Sequence, residues 1–237
     1  MLSILIDRHT IQGRAHLQWK RSAGLRLRSF IELISAQSGQ DVALTEGTIT
    51  RESLRDCPLL IVPTRKVQIP PEEVDTIEDY VLDSGNLLLM SNHHPHHDLD
   101  TVIGERFGIR FEETHFCTGG GLTKLSGNCL TDHLIIAGKP EEKPVEELVT
   151  NTTCSIVSEG GEDIAFLSDT MQDRVKGLSP AGKRFAVSKQ IAGGGRIVAM
   201  ADSGFIGTNG TVAPGIGLID KGDNTLFVKR VVRWLLE

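Results

Sequence analysis

Long apolar runs are missing from this chain of 237 residues. No stretch approaches the ~18 consecutive apolar residues of a membrane-spanning helix, so no membrane partner is expected. Cysteine is scarce. Cys57, Cys117, Cys129 and Cys154 stand far apart and form no C-x-x-C pair, which excludes a zinc knuckle and a disulfide framework as organising devices. That usage fits a reducing cytoplasm. A basic stripe is also lacking: the net charge is −6, and the locally basic stretch 14–28 has its charges spread as on a solvated helix face. Nucleic acid is therefore set aside as a partner, because binding its backbone needs clustered positive charge. Residues 1–7 carry too short an apolar run, and no basic n-region, for a secretory leader. A cytoplasmic location is expected.

What the chain does have is an alternation of short apolar runs with amphipathic segments. Residues 2–7, 41–44, 59–62, 87–90 and 196–201 read as buried strands. Between them, Leu25, Leu27, Phe30, Ile31, Leu33 and Ile34 recur near helical spacing and stop before Gly39, as a helix with a glycine terminus does. Pro70-Pro71-Glu72-Glu73 opens a second helix, with proline in its first turn and acids at the positive end of the dipole. Val74, Ile77, Tyr80 and Val81 form its apolar face, and Ser84-Gly85 closes it. A last helix runs over 224–235. Strand and helix in this order predict right-handed βαβ units, hence an α/β fold with an open, largely parallel, flavodoxin-like sheet and helices on both faces. Residues 110–190 break the pattern with short β-like pieces and an exposed loop at 139–147, and read as a β-rich insertion. With no internal repeat, one domain over 1–237 is expected.

In a parallel sheet every strand ends on the same edge, where such folds place their ligands. That edge collects Asp7, Arg8 and His9, then Thr64 and Arg65, then Ser91 to Asp98, then Asp202 and Ser203. The loop after residue 90 is the densest in chemistry, since His93, His94, His96 and His97 are half of the eight histidines. Asp7, His9, Ser91, Asn92, His93, Asp202 and Ser203 are the expected ligand-binding residues. His94, His96, His97 and Asp98 are the expected donors to a divalent metal (zinc, nickel, manganese or iron), which imidazole and carboxylate suit. The alternative is a loop of solvated histidines. Two charged imidazoles ~4 Å apart would repel by about 4 kcal/mol at an effective dielectric of ~20, so a converged cluster is mostly neutral or metal-bound.

Several of these pieces together resemble a known family. Ile6-Asp7-Arg8-His9, Ile61-Val62-Pro63-Thr64 before the proline-led helix, Ser84-Gly85-Asn86-Leu87-Leu88-Leu89, Arg106-Phe107-Gly108-Ile109 and the run 195–205 with its closing helix are similar to the uncharacterised bacterial proteins that carry a class I glutamine amidotransferase-like domain. The resemblance covers both ends of the chain and little of 110–190. It implies the fold and a site at the strand ends. In working amidotransferases a G-x-C-x-G elbow supplies a cysteine nucleophile, whereas the corresponding place here reads Met90-Ser91-Asn92-His93-His94. Without a thiolate the glutaminase mechanism has no nucleophile. Ser91 lacks the flanking glycines of a serine elbow.

Other motifs are incomplete. His94-Pro95-His96-His97-Asp98 begins the H-x-H-x-D motif of metallo-β-lactamase-like hydrolases, but Leu99 stands where a further histidine belongs and no histidine follows residue 133. Cys117 lies near His115 without an orienting third group. Gly119 to Gly121 have no following lysine in P-loop spacing. The leading expectation is a domain that binds a small polar or sugar-like ligand, or a protein partner, at the strand C-terminal rim. The alternative is a metal-dependent hydrolase that uses the loop 93–98 to activate a water.

Overall fold

The computed structural model describes residues 3–7, 9, 27–45, 47–65, 67–119, 121–207 and 217–237. Arg8, the basic stretch up to residue 26 and Gly120 lie outside the described residues. The first half runs β1 (Ser3–Ile6), α1 (Arg28–Ser38), β2 (Asp41–Leu44), α2 (Arg51–Leu54), β3 (Leu59–Val62), α3 (Pro71–Leu82), β4 (Asn86–Met90) and α4 (Asp98–Glu105). A β-rich stretch follows with β5 (Ile109–Phe111), β6 (Phe116–Cys117), β7 (Thr123–Ser126), the short α5 (Leu134–Ala137), β8 (Glu147–Thr150), β9 (Ile156–Ser158), β10 (Glu162–Phe166), β11 (Gln172–Asp173) and β12 (Arg184–Gln190). The α/β pattern then returns with β13 (Arg196–Met200) and α6 (Asn224–Leu236).

The continuous apolar runs become central strands because a parallel strand is covered on both faces. β3 is buried at every position, and β4 and β13 at all but the first. β2, at one edge, alternates exposed and half-buried residues. α1 ends at Gly39, whose φ of 68° is the left-handed conformation that glycine adopts without a Cβ clash. α3 starts with Pro71 in its first turn and ends before Ser84, which takes a positive φ of 77°.

Nine of the described strands form one sheet in the order β2-β1-β3-β4-β13-β12-β9-β5, with β10 also paired to β12. From β2 to β13 all neighbours are parallel. Ile6, Ile61, Leu88 and Val198 lie level across these strands, so the strands end together on one edge. Beyond β13 the pairings turn antiparallel, through β12, β9 and β5. The stretch expected as a β-rich insertion thus partly extends the main sheet, while β6 with β11 and β7 with β8 form two small ribbons. α6 packs on α1, β4 and β13, while α3 packs with α2, α4 and β4. None of the described helices is long and apolar enough to cross a membrane.

Candidate functional site at the strand ends

Asp7, Thr64, Ser91 and Asp202 follow β1, β3, β4 and β13, so the parallel register brings them to one edge. An ionic cluster occupies the β1 and β3 side. Arg65, only 1% exposed, sets its Nε 3.1 Å from Oδ2 of the fully buried Asp7 and its Nη1 3.2 Å from Oε2 of Glu73. Its backbone N–H donates to Oδ1 of Asp100 at 3.0 Å. His9 lies within reach of both charges, with Nδ1 3.1 Å from Asp7 and 3.2 Å from Arg65 Nη2. Glu73 in turn accepts the backbone N–H of Ile49 at 2.7 Å. Burial pushes the Asp100 carboxyl well above the usual carboxylate range, against the lowering effect of Arg65 and of the Ser91 hydroxyl beside it.

Hydroxyl and amide groups fill the β4 and β13 side. Thr64 Oγ1 donates to Ser203 Oγ at 2.8 Å, and Asn92 Nδ2 donates to the same oxygen at 3.3 Å. Asn92 Oδ1 accepts the His93 backbone N–H at 2.8 Å and lies against the His93 ring nitrogen Nδ1. Ser91 ties β4 to the turn after β13, its N–H donating to Met200 and its carbonyl accepting from Ser203. Asp202 accepts Thr150 Oγ1 at 2.6 Å and the Gly204 N–H at 2.7 Å. Burial raises its carboxyl to about 6 in spite of those bonds.

The imidazoles divide into two groups. His93 packs on His115 with ring centroids 4.2 Å apart and meets His96 edge-on at 5.8 Å. Burial, and then the neighbouring His115, His96 and His94, depress the His93 pKa to about 4, so the His93 ring is neutral near pH 7. His94 and His97 form the other group at 5.7 Å, with His94 Nδ1 3.7 Å from Glu113 and His97 Nε2 2.6 Å from Asp98. The expected metal donors His94, His96, His97 and Asp98 are therefore shared between two clusters. Among the described residues no set of three or more His, Cys, Asp or Glu side chains is arranged to hold a metal ion.

Ser91, at the elbow position, is fully buried and its hydroxyl has no access to solvent. A nucleophilic serine is thereby removed from consideration, since a substrate carbonyl must reach within ~3 Å of the attacking oxygen. Cys154 is equally enclosed, and burial holds its thiol well above the usual value. Cys117 is buried and its Sγ accepts from Arg174 Nε at 3.2 Å. Sequence reading did not place Glu73 or Asp100 in the site, and it weighed His115 only as a neighbour of Cys117. Two of them carried a signal: Asp100 shares a helix face with Ile103 and Gly104, and Glu73 shares one with Ile77, so each is an acid on an apolar face.

No protein-family model matches the chain, and no curated protein matches it in sequence. Solved structures do match its shape. The mmIFT52 N-terminal domain is 12% identical, with 98% of this chain and 96% of that chain covered at a TM-score of 0.73. A cytoplasmic protein from Salmonella typhimurium is 10% identical over 99% of both chains at a TM-score of 0.59. A protein from Bacteroides uniformis described as ThuA-like is 14% identical, with 99% of this chain and 91% of that one covered, at a TM-score of 0.52. At these identities the likeness is one of fold alone, and it agrees with the expected α/β architecture built on a largely parallel sheet.

Proposed function

We propose that this chain is an amidotransferase-like domain, a single unit over 1–237, that lacks the elbow nucleophile and binds a small polar or sugar-like ligand, or a protein partner, at the strand C-terminal rim. One observation carries the reading: the elbow residue Ser91 is sealed into the core, as are Ser203 and Thr64, while half-buried His93 beside Asn92 is left partly open at the rim. A neutral imidazole supplies both a donor and an acceptor without net charge. Such a surface suits hydroxyl-rich ligands. Asp7 and Glu73 are engaged by Arg65 and serve to fix the rim.

Two measurements test this. Purified protein incubated with glutamine should release no ammonia, and Cys117→Ala should change nothing; turnover lost on that substitution would place the nucleophile elsewhere. Monosaccharides titrated into isotope-labelled protein should shift the His93, Asn92 and Ser203 resonances, and Asn92→Ala should weaken that response. A second reading, metal-dependent hydrolysis, rests on the density of imidazoles in the loop 93–98 alone, since no three donors converge there among the described residues.

A further inference from the structure

α3 and α4 follow the neighbouring parallel strands β3 and β4 and pack against each other. A groove of about 570 Å3 stays open between them. Pro71 and Val74 of α3 and Leu99 and Val102 of α4 line it, together with Ile69 from the segment before α3. The helical period explains the lining. On α4, positions 98, 99, 102, 105 and 106 fall on one stripe, while the buried Asp100, Ile103 and Gly104 fall on the other. A helix with a single covered face carries polar residues on its outer stripe. Here that stripe holds half-buried Leu99 and Val102, which is 41% exposed.

Carboxylates border the apolar floor. Among the described residues Arg106 is the only basic side chain that lines the groove, and Asp75 at 2.7 Å and Glu78 at 3.0 Å already hold it. Glu105 and Asp98 add two exposed acids, Asp98 lying against the His97 ring at 2.6 Å. The acidic excess discriminates among occupants. Anionic lipid headgroups and nucleic acid are repelled by it. In a symmetric pair of copies the same patch meets itself, which sets acid against acid. An extended strand finds no edge to pair with, because the backbone groups of the two helices are bonded internally. A third helix fits, since it can lay a ridge of its own side chains between α3 and α4.

We propose that this groove docks a basic amphipathic helix of a partner protein, its apolar stripe on Val74, Leu99 and Val102 and its lysines or arginines toward Asp98 and Glu105. α4, the shorter wall, has 8 residues. At 1.5 Å per residue it runs for about 12 Å, which accommodates anchors at i, i+3 or i+4, and i+7 of the incoming helix. The groove lies in the helical layer and not among the rim residues, so the proposal stands whatever the rim binds.

The probe is a fluorescein-labelled peptide of about 16 residues, with leucines at i, i+3, i+4 and i+7 and lysines on both flanks, followed by anisotropy as intact protein is added. Saturable binding with a Kd of about 1–100 μM is expected. A scrambled peptide of the same composition loses the stripe and should bind about tenfold more weakly or worse. Val102→Glu should weaken the probe by about tenfold or more, and Glu105→Lys by about three- to tenfold, a gap that closes at ~0.5 M salt. Leu122→Glu, at an exposed apolar position outside the groove, should stay within about twofold of wild type. Both groove variants change exposed positions, and the melting temperature of each reports whether it folds; if one does not, the other decides. No saturable binding by ~200 μM, equal affinity for the scrambled peptide, or wild-type affinity in either folded groove variant would overturn the proposal. Sedimentation equilibrium should agree between wild type and Val102→Glu. A dimer that this substitution dissolves would assign the groove to a second copy and overturn it as well.

Discussion

Arg65→Met isolates the ionic cluster at the base of the rim. Methionine keeps much of the apolar stem, so the main loss is the guanidinium that lies 3.1 Å from Asp7 and 3.2 Å from Glu73. Both carboxylates are essentially buried, at 0% and 2% exposure. Removing one partner of a buried pair typically costs about 3–5 kcal/mol, because the other charge stays behind unpaired. For a chain of this size each kcal/mol moves the melting temperature by roughly 2–4 °C, so a fall of about 6–20 °C is expected. The pH dependence provides the sharper check. In the variant the two carboxylates stay buried with no cation beside them, and burial disfavours the charged form, so the deficit grows as rising pH ionises them. Urea unfolding followed by circular dichroism should therefore show a larger deficit at about pH 7.5 than at about pH 5. Glu73→Gln keeps an oxygen for the Ile49 N–H, and in the Arg65→Met background it should recover part of the loss. A variant within ~1 kcal/mol of wild type at about pH 7.5, or with the same deficit at both pH values, would refute the reasoning.

The remaining expectations concern groups whose protonation the fold alters, and the metal reading. His93 should titrate near 4 by proton NMR. Its lowered pKa means that stability is complete above the unfolded value of ~6.5 and declines as pH falls toward the folded one, a decline that His93→Asn should flatten. Asp202, raised to about 6, behaves oppositely: its contribution is present below ~3.9 and is lost as pH rises through 6. Asp202→Asn should thus be no less stable than wild type at about pH 8, with the titration gone from the melting curve. If the loop 93–98 holds a metal, zinc, nickel, manganese or iron at about a hundred times its dissociation constant should raise the melting temperature by roughly 5–10 °C. His94→Ala with His96→Ala should abolish that rise, and a wild-type melt that no metal moves would reject the metalloenzyme reading.

The sequence by itself determined the elements of the α/β frame. Strands β1 to β4 and β13 and helices α1, α3 and α6 fall within a residue or a few of the spans expected, because apolar runs, Gly39 and Pro71 act through local backbone preference and burial. It also determined the rim, since the ends of parallel strands share an edge whatever their order. The tertiary structure decided the rest. Whether 110–190 stands apart or joins the sheet depends on β12 pairing antiparallel with β13, which no periodicity encodes. Ser91 looked accessible as a loop residue, but the hydrogen bonds from β4 to the turn after β13 close over it. Glu73 read as a dipole-facing acid at a helix start and became a buried partner of Arg65, while His115, from another segment, completed the His93 cluster. Local pattern reports how much of a side chain is buried. Which group it meets there is set by the order of strands, and that order emerges only when the whole sheet assembles.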